Sequence, residues 1–172
     1  MNEVWQDKIP PQDIEAEQAV LGAIFLDSDT LIDAMEIVTP RSFYRRSHQI
    51  IFQSMIQLSN RGEAIDLVTL KAEIEKSNAL EDIGGISYLS ELSQSTPSSA
   101  SVSYYAKIVD DKSLLRQLIQ TANQIVVKSF EQGEEVQAIV DEAERSILEV
   151  SEKRNSTGFQ SIADVLNQSI ET

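Results

Sequence analysis

The residues equipped for chemistry are few. His48 is the only histidine, and there is no cysteine. A lone imidazole could accept a phosphoryl group, or serve as base to a serine with a carboxylate behind it. The sequence spells out neither setting. His48 is followed by Gln-Ile-Ile, without the Lys-Gly that phosphotransfer domains carry nearby, and no nucleophile-elbow motif accompanies the serines. A single helical histidine reads first as structural. Asp110 and Asp111 are neighbours, so on a helix they point about 100° apart and read as solvated rather than as a metal pair. Neither common glycine-rich phosphate loop is present. Disulfides and thiolate metal sites are excluded. No catalytic, cofactor-binding or metal-binding residue is therefore assigned.

Charge narrows the partners. The 172 residues carry 28 acids against 14 bases, a net charge of −14. Such a surface repels a phosphate backbone, so the chain by itself is expected to bind DNA poorly. One stretch runs the other way. Arg41, Arg45, Arg46, His48 and Arg61 fall in a segment without acids from residue 37 to 62. It reads as a locally basic face, or as a contact for an acidic neighbour. Apolar residues make up 41%, enough for a real core. No apolar run approaches the roughly 18–20 residues that span a bilayer. The start, MNEVWQDKIPPQ, lacks the basic and apolar regions of a signal peptide. These features predict a cytoplasmic protein with no membrane partner. In that setting the sequons at Asn155 and Asn167 are chance matches.

The elements that must position these residues are helices. Pro10-Pro11 precede a run, DIEAEQAVLGAIFL, whose Glu15 and Glu17 suit the positive end of the helix dipole. Gly22 inside it costs about 1 kcal/mol relative to alanine, which points to a close helix crossing. Ser28 or Asp29 is expected to cap a short second helix, ended by Pro40. A third runs from about Ser42 to Asn60, with a stop at Arg61-Gly62. Asp66 opens a fourth. Gly84-Gly85 make a turn, Ser87 is expected to cap a fifth helix, and Tyr88 just after the turn reads either as an exposed ring or as a half-buried core tyrosine.

From Val102 to Phe130 there is neither proline nor glycine. Leu115, Leu118, Ala122 and Ile125 recur at helical spacing, with Ile119 and Val126 in an adjoining stripe. The turn EQGEE, with Gly133, ends this arm. A second arm repeats Val136, Val140, Ala143, Ile147 and Val150 at 4-3-4-3 spacing, with Ile139 and Leu148 outside that stripe. This pattern predicts an αα-hairpin with a coiled-coil-like seam, its second arm about 25 Å long. One seam cannot cover every apolar position, so self-association through Val136, Val140, Ala143, Ile147 and Val150 is expected. Lys153 to Gln160 reads as a linker. Ser161 with Asp164 then resembles a capping box, and Ile162, Val165, Leu166 and Ile170 line one face of a short helix. Such a helix needs a partner to dock on, so the chain reads as a piece of a longer protein.

The expected fold is all-α. A globular helical bundle occupies residues 1–100 and a long αα-hairpin, read as the dimerisation element, residues 101–153. A linker and the start of a linker helix occupy residues 154–172.

Several of these motifs, in order, resemble the bacterial replicative DNA helicases of the DnaB type. They are Pro10-Pro11 with Glu15 through Gly22, Phe43-Tyr44-Arg45 with His48-Gln49, and Asp66 through Leu70. Gly84-Gly85 with Tyr88-Leu89, Tyr104 through Val109, and Ala143-Glu144-Arg145 leading to Gly158-Phe159 complete the set. The likeness spans essentially the whole chain, is specific as an ordered set, and looks closest to Gram-positive bacteria. It implies the N-terminal collar of a hexameric ring that unwinds DNA at replication forks. Hairpins would pair between subunits, and the collar would recruit the C-terminal domain of the primase near Glu15, Tyr88, Ile119 and Ile125. A helicase loader is a further expected partner. The ATPase, with its ATP and magnesium, would follow the linker helix, so this chain alone is expected not to be an enzyme and to need no cofactor. The alternative reading is a stand-alone acidic helical adaptor or a phosphotransfer regulator acting through His48.

Overall fold

Asp13 starts the first helix. Its side chain accepts a hydrogen bond from the Ala16 backbone N–H at 3.0 Å, satisfying one of the donors that a helix start leaves free. Helix α1 then runs Ile14–Leu26, so the two prolines lie ahead of the cap. A computed structural model describes residues 8–152. The predicted linker, the Ser161/Asp164 capping box and the linker helix lie outside the described residues. No strand occurs among those described, and no helix there is long and apolar enough to cross a membrane.

Two compact units meet inside one helix, Met1–Ser113 and Leu114–Thr172. In the first, α1 packs against α2 (Thr30–Met35), α3 (Arg46–Asn60) and α5 (Gly85–Ser93), and α4 (Leu67–Glu75) packs on α3 and α5. Helix α6 (Val102–Glu131) contributes Val102, Ala106 and Val109 to the core. These sit at i, i+4 and i+7, one face of a helix. Leu21, Ile24, Phe43, Ile51 and Phe52 are fully buried. The rings of Phe43 and Phe52 lie 5.0 Å apart. Burying each such ring contributes about 2–3 kcal/mol.

Local chemistry corrects several expected boundaries. The third helix begins at Arg46, because Pro40–Ser42 form a 3₁₀ turn and Phe43 leaves it extended. Asp29 stands at the start of α2 without a side-chain cap. Asp27 organises that corner instead, accepting from the Asp29 N–H and the Thr30 hydroxyl. Asp66 does cap α4, in a reciprocal box with Thr69. Gly84, not Ser87, precedes α5, in the left-handed region at φ 105°. A Cβ there would also meet the Tyr88 Cβ at 2.9 Å. At the end of α6 the left-handed residue is Gln132, with φ 50°, rather than Gly133.

Gly22 marks a close crossing. A Cβ added to it would lie 2.4 Å from Ser95 Oγ and 2.9 Å from the Leu92 carbonyl oxygen. The Ser95 hydroxyl lies 3.1 Å from the Gln18 carbonyl, locking α1 to the end of α5.

The second unit holds the rest of α6 and a returning helix, α7, over residues 136–152. The predicted hairpin is present, but its inner face differs from the expected seam. Thr121, Ile125 and Lys128 on α6 are half-buried, as are Ile139, Glu142, Ala143 and Ser146 on α7. A small cavity lies among them, and Lys128 pairs with Glu142 across it. Ile139 therefore faces inward. Val136, Val140 and Ile147 face solvent, with Val136 78% exposed. The arms meet through Ile125, Ile139 and Ala143 together with polar side chains, while Val136, Val140, Ile147 and Leu148 are turned out.

Candidate functional site

Helix α1 is buried on nearly every side, and Glu17 shares that burial with 1% exposure. A carboxylate without water must find donors. Glu17 finds three. Tyr44 N–H donates to Oε2 at 2.7 Å, Arg45 N–H to Oε1 at 3.4 Å, and His48 Nδ1 lies 2.7 Å from Oε1. The first two come from the extended residues just before α3, so the negative charge also sits at that helix's positive end. His48 is itself fully buried. Its Nε2 lies 2.5 Å from the Tyr88 hydroxyl on α5, and that oxygen accepts from Gln18 Nε2 at 3.3 Å.

A carboxylate only accepts, so Nδ1 of His48 carries the hydrogen. Its Nε2 pairs with the Tyr88 hydroxyl, whose oxygen also receives Gln18. Every polar atom has a partner. Glu17, His48 and Tyr88 thereby bolt α1, α3 and α5 together. Among the described residues no buried side-chain polar atom is left unpartnered.

This geometry bears on the phosphotransfer alternative. A phosphoryl acceptor needs an exposed nitrogen, and both nitrogens of His48 are enclosed and engaged. The imidazole orients Tyr88 instead. Tyr88 is half-buried, not free-standing, because its hydroxyl is drawn into this network. Glu15 is exposed on the first turn of α1. It shares a shallow groove with Gln18, Pro97 and Tyr105. Gln18 thus links the neighbourhoods of Glu15 and Tyr88. On α6, Ile119 is 39% exposed, whereas Ile125 lines the cavity inside the hairpin. The two lie about 120° apart around the helix axis. Of the self-association candidates, Val136, Val140 and Ile147 are exposed, and Ala143 and Val150 are half-buried.

The basic stretch also divides. His48 is in the core. Arg61 is engaged by Glu63 and Glu73. Its hydrogen bond, helped by Lys76, holds the Glu73 carboxyl down at about 2, against an ordinary value of 4.5. Arg41, Arg45 and Arg46 remain exposed. Asp110 is half-buried, and burial raises its carboxyl. Asp111 is exposed and pairs with Lys107 at 2.6 Å. No group of three or more possible metal ligands occurs among the described residues.

The Glu17–His48–Tyr88 network was not foreseen from the sequence. A signal was nonetheless there: Glu17 shares a helix face with Val20, Leu21 and Ile24 at i+3, i+4 and i+7, so its carboxylate must have a buried partner.

Known proteins share this arrangement of helices. A family model for the DnaB-like helicase N-terminal domain matches residues 9–111. The chain is 51% identical over 168 residues to the replicative DNA helicase DnaB of Geobacillus stearothermophilus, covering 98% of this chain and 37% of that protein. The crystal structure of the N-terminal domain of DnaB helicase from Mycobacterium tuberculosis matches with a TM-score of 0.79 and 38% identity, covering 82% of this chain and 99% of that one. A DnaB-like replicative helicase, solved with its interactions with primase, matches with a TM-score of 0.66 and 25% identity over 88% of this chain and 35% of that one.

Proposed function

Because the chain belongs to the family of DnaB-like helicase N-terminal domains, we propose that it forms the collar of a replicative DNA helicase, pairing subunits and recruiting primase. The chain spans 37% of the length of the full helicase it matches. Unwinding, with its ATP and magnesium, would belong to the remainder of such a protein in the bacterial cytoplasm. A hexamer is the assembly this reading calls for, with a helicase loader as an additional partner.

The observation that carries the reading is the apolar surface that the hairpin leaves exposed. Its arms meet through Ile125, Ile139, Ala143 and the Lys128–Glu142 pair, while Leu115, Leu118, Val140, Ile147 and Leu148 face solvent. Exposed apolar rows of this extent mark an interaction surface. Primase recruitment is supported by the relative solved with its primase interactions. It is further supported by Glu15, which stands exposed beside the Gln18–Tyr88 contact.

Two measurements test this. Sedimentation of the chain should give a dimer or larger species. Calorimetry with the primase C-terminal domain should give saturable binding. Glu15→Lys should weaken that binding about tenfold, roughly 1.4 kcal/mol, with the circular dichroism spectrum unchanged. A monomeric chain that fails to bind primase would remove both halves of the proposal.

A further inference from the structure

Helix α3 carries Gln49, Gln53 and Gln57, each four residues from the last, so their amides form a row along one face. With Pro40 and Ile50 they line an open groove, whose other wall includes Glu73 and Lys76 of α4 and its C-terminal end. Gln49 is tied to the Phe43 carbonyl at 2.8 Å. The amides of Gln53 and Gln57 are exposed and make no hydrogen bond among the described residues.

The arginines complete the picture. At about 100° per residue, Arg46 falls in the middle of the groove-lining face, at the end where α3 begins. Arg41 directly follows Pro40. Arg41, Arg45 and Arg46 make no ion pair among the described residues. That is unusual company for a chain in which acids outnumber bases 28 to 14. Helix stability does not explain Arg46 either, because a cation in the first turn opposes the helix dipole.

We propose that the groove between α3 and α4 receives an extended, acidic peptide segment of a partner protein. From Arg46 to Gln57 the helix rises about 17 Å, the length of about five extended residues. Carboxylates of the segment meet Arg46 and Arg41, with charge-assisted bonds. Its peptide groups meet the Gln53 and Gln57 amides, which both donate and accept. Apolar side chains on its alternate face rest on Pro40 and Ile50. A single nucleic-acid strand fits less well. No aromatic ring lines the groove to stack a base, and the chain as a whole repels phosphate.

The test is a nuclear magnetic resonance titration of the isotope-labelled 172-residue chain. The probes are a six-residue peptide alternating aspartate and leucine, the same peptide with lysine for aspartate, and a twelve-nucleotide thymidine strand. The aspartate peptide should shift the side-chain amide signals of Gln53 and Gln57, and the lysine peptide should not. Arg46→Glu should weaken the aspartate peptide at least tenfold. That change suits the first turn of a helix, so the fold should survive it. The double change Gln53→Ala with Gln57→Ala, which leaves every charge in place, should weaken binding about threefold. Four results would overturn the proposal: no shift at millimolar aspartate peptide, shifts confined to other surfaces, unchanged affinity in Arg46→Glu, or tighter binding of the thymidine strand.

Discussion

The carboxylate of Glu17 stands 2.7 Å from Nδ1 of His48, and neither side chain is more than 1% exposed. Between them they join helices whose residues lie 31 apart in sequence. Removing Glu17 would take the acceptor from the buried imidazole N–H. Glu17→Ala should therefore destabilise the chain by about 1–3 kcal/mol, the usual cost of leaving a buried donor without its acceptor. Tyr88→Phe, which removes only the hydroxyl, should cost about 1–3 kcal/mol. Urea unfolding followed by circular dichroism measures both. A Glu17→Ala variant as stable as its parent would show that the network is not what holds these helices.

Gly22→Ala would ordinarily gain about 1 kcal/mol of helix propensity. Here it should lose stability. The new methyl meets Ser95 Oγ at 2.4 Å and, less yieldingly, the Leu92 carbonyl at 2.9 Å. Overpacking of this kind costs about 1–3 kcal/mol. Thermal melts of Gly22→Ala alone and combined with Ser95→Ala should show only partial recovery in the pair, since the backbone contact persists.

Acid should weaken the fold through Glu73. Arg61 holds its folded carboxyl at about 2, below the ordinary 4.5. The unfolded chain then takes up the proton at higher pH than the folded one, so stability rises with pH through that window. The contribution is fully present above about pH 4.5 and fades as pH falls toward 2. Glu73→Gln should flatten this part of the profile when unfolding midpoints are compared from pH 5 down to pH 2.5. An identical profile in the variant would assign the acid sensitivity elsewhere.

The hairpin offers a paired comparison. Ile139 points between the arms and Ile147 to solvent, 50% exposed. Ile139→Asp should reduce helicity, because it puts a charge into the hairpin's own packing. Ile147→Asp should leave helicity intact and lower the sedimenting mass if that face pairs with another copy. Unchanged mass for Ile147→Asp would direct attention to Leu115, Leu118 and Leu148 instead.

Helix positions were legible because each depended on local chemistry. Asp66 opened the fourth helix as expected, and the stretch without proline or glycine after Val102 became one helix. Gly22 announced a close crossing through its cost. The misses were those that depend on what stands opposite. The repeat Val136, Val140, Ala143, Ile147 has proper seam spacing, yet of these four the arms enclose Ala143, with Ile139 and the Lys128–Glu142 pair beside it. Periodicity reveals a stripe but not which of two stripes another helix will cover. Glu17 looked like a first-turn charge answering the dipole, and nothing local revealed that its side chain was aimed inward at His48.

That single imidazole has a last consequence. The hydrogen on Nδ1 of His48 is sealed between Glu17 and the surrounding helices, with no exposed ring edge. It can trade places with deuterium only when α1, α3 and α5 separate. Since the chain has no other histidine, its imidazole signal stands free of overlap in a nitrogen-resolved spectrum. The lifetime of that one signal in heavy water is a built-in clock for how often the first unit opens.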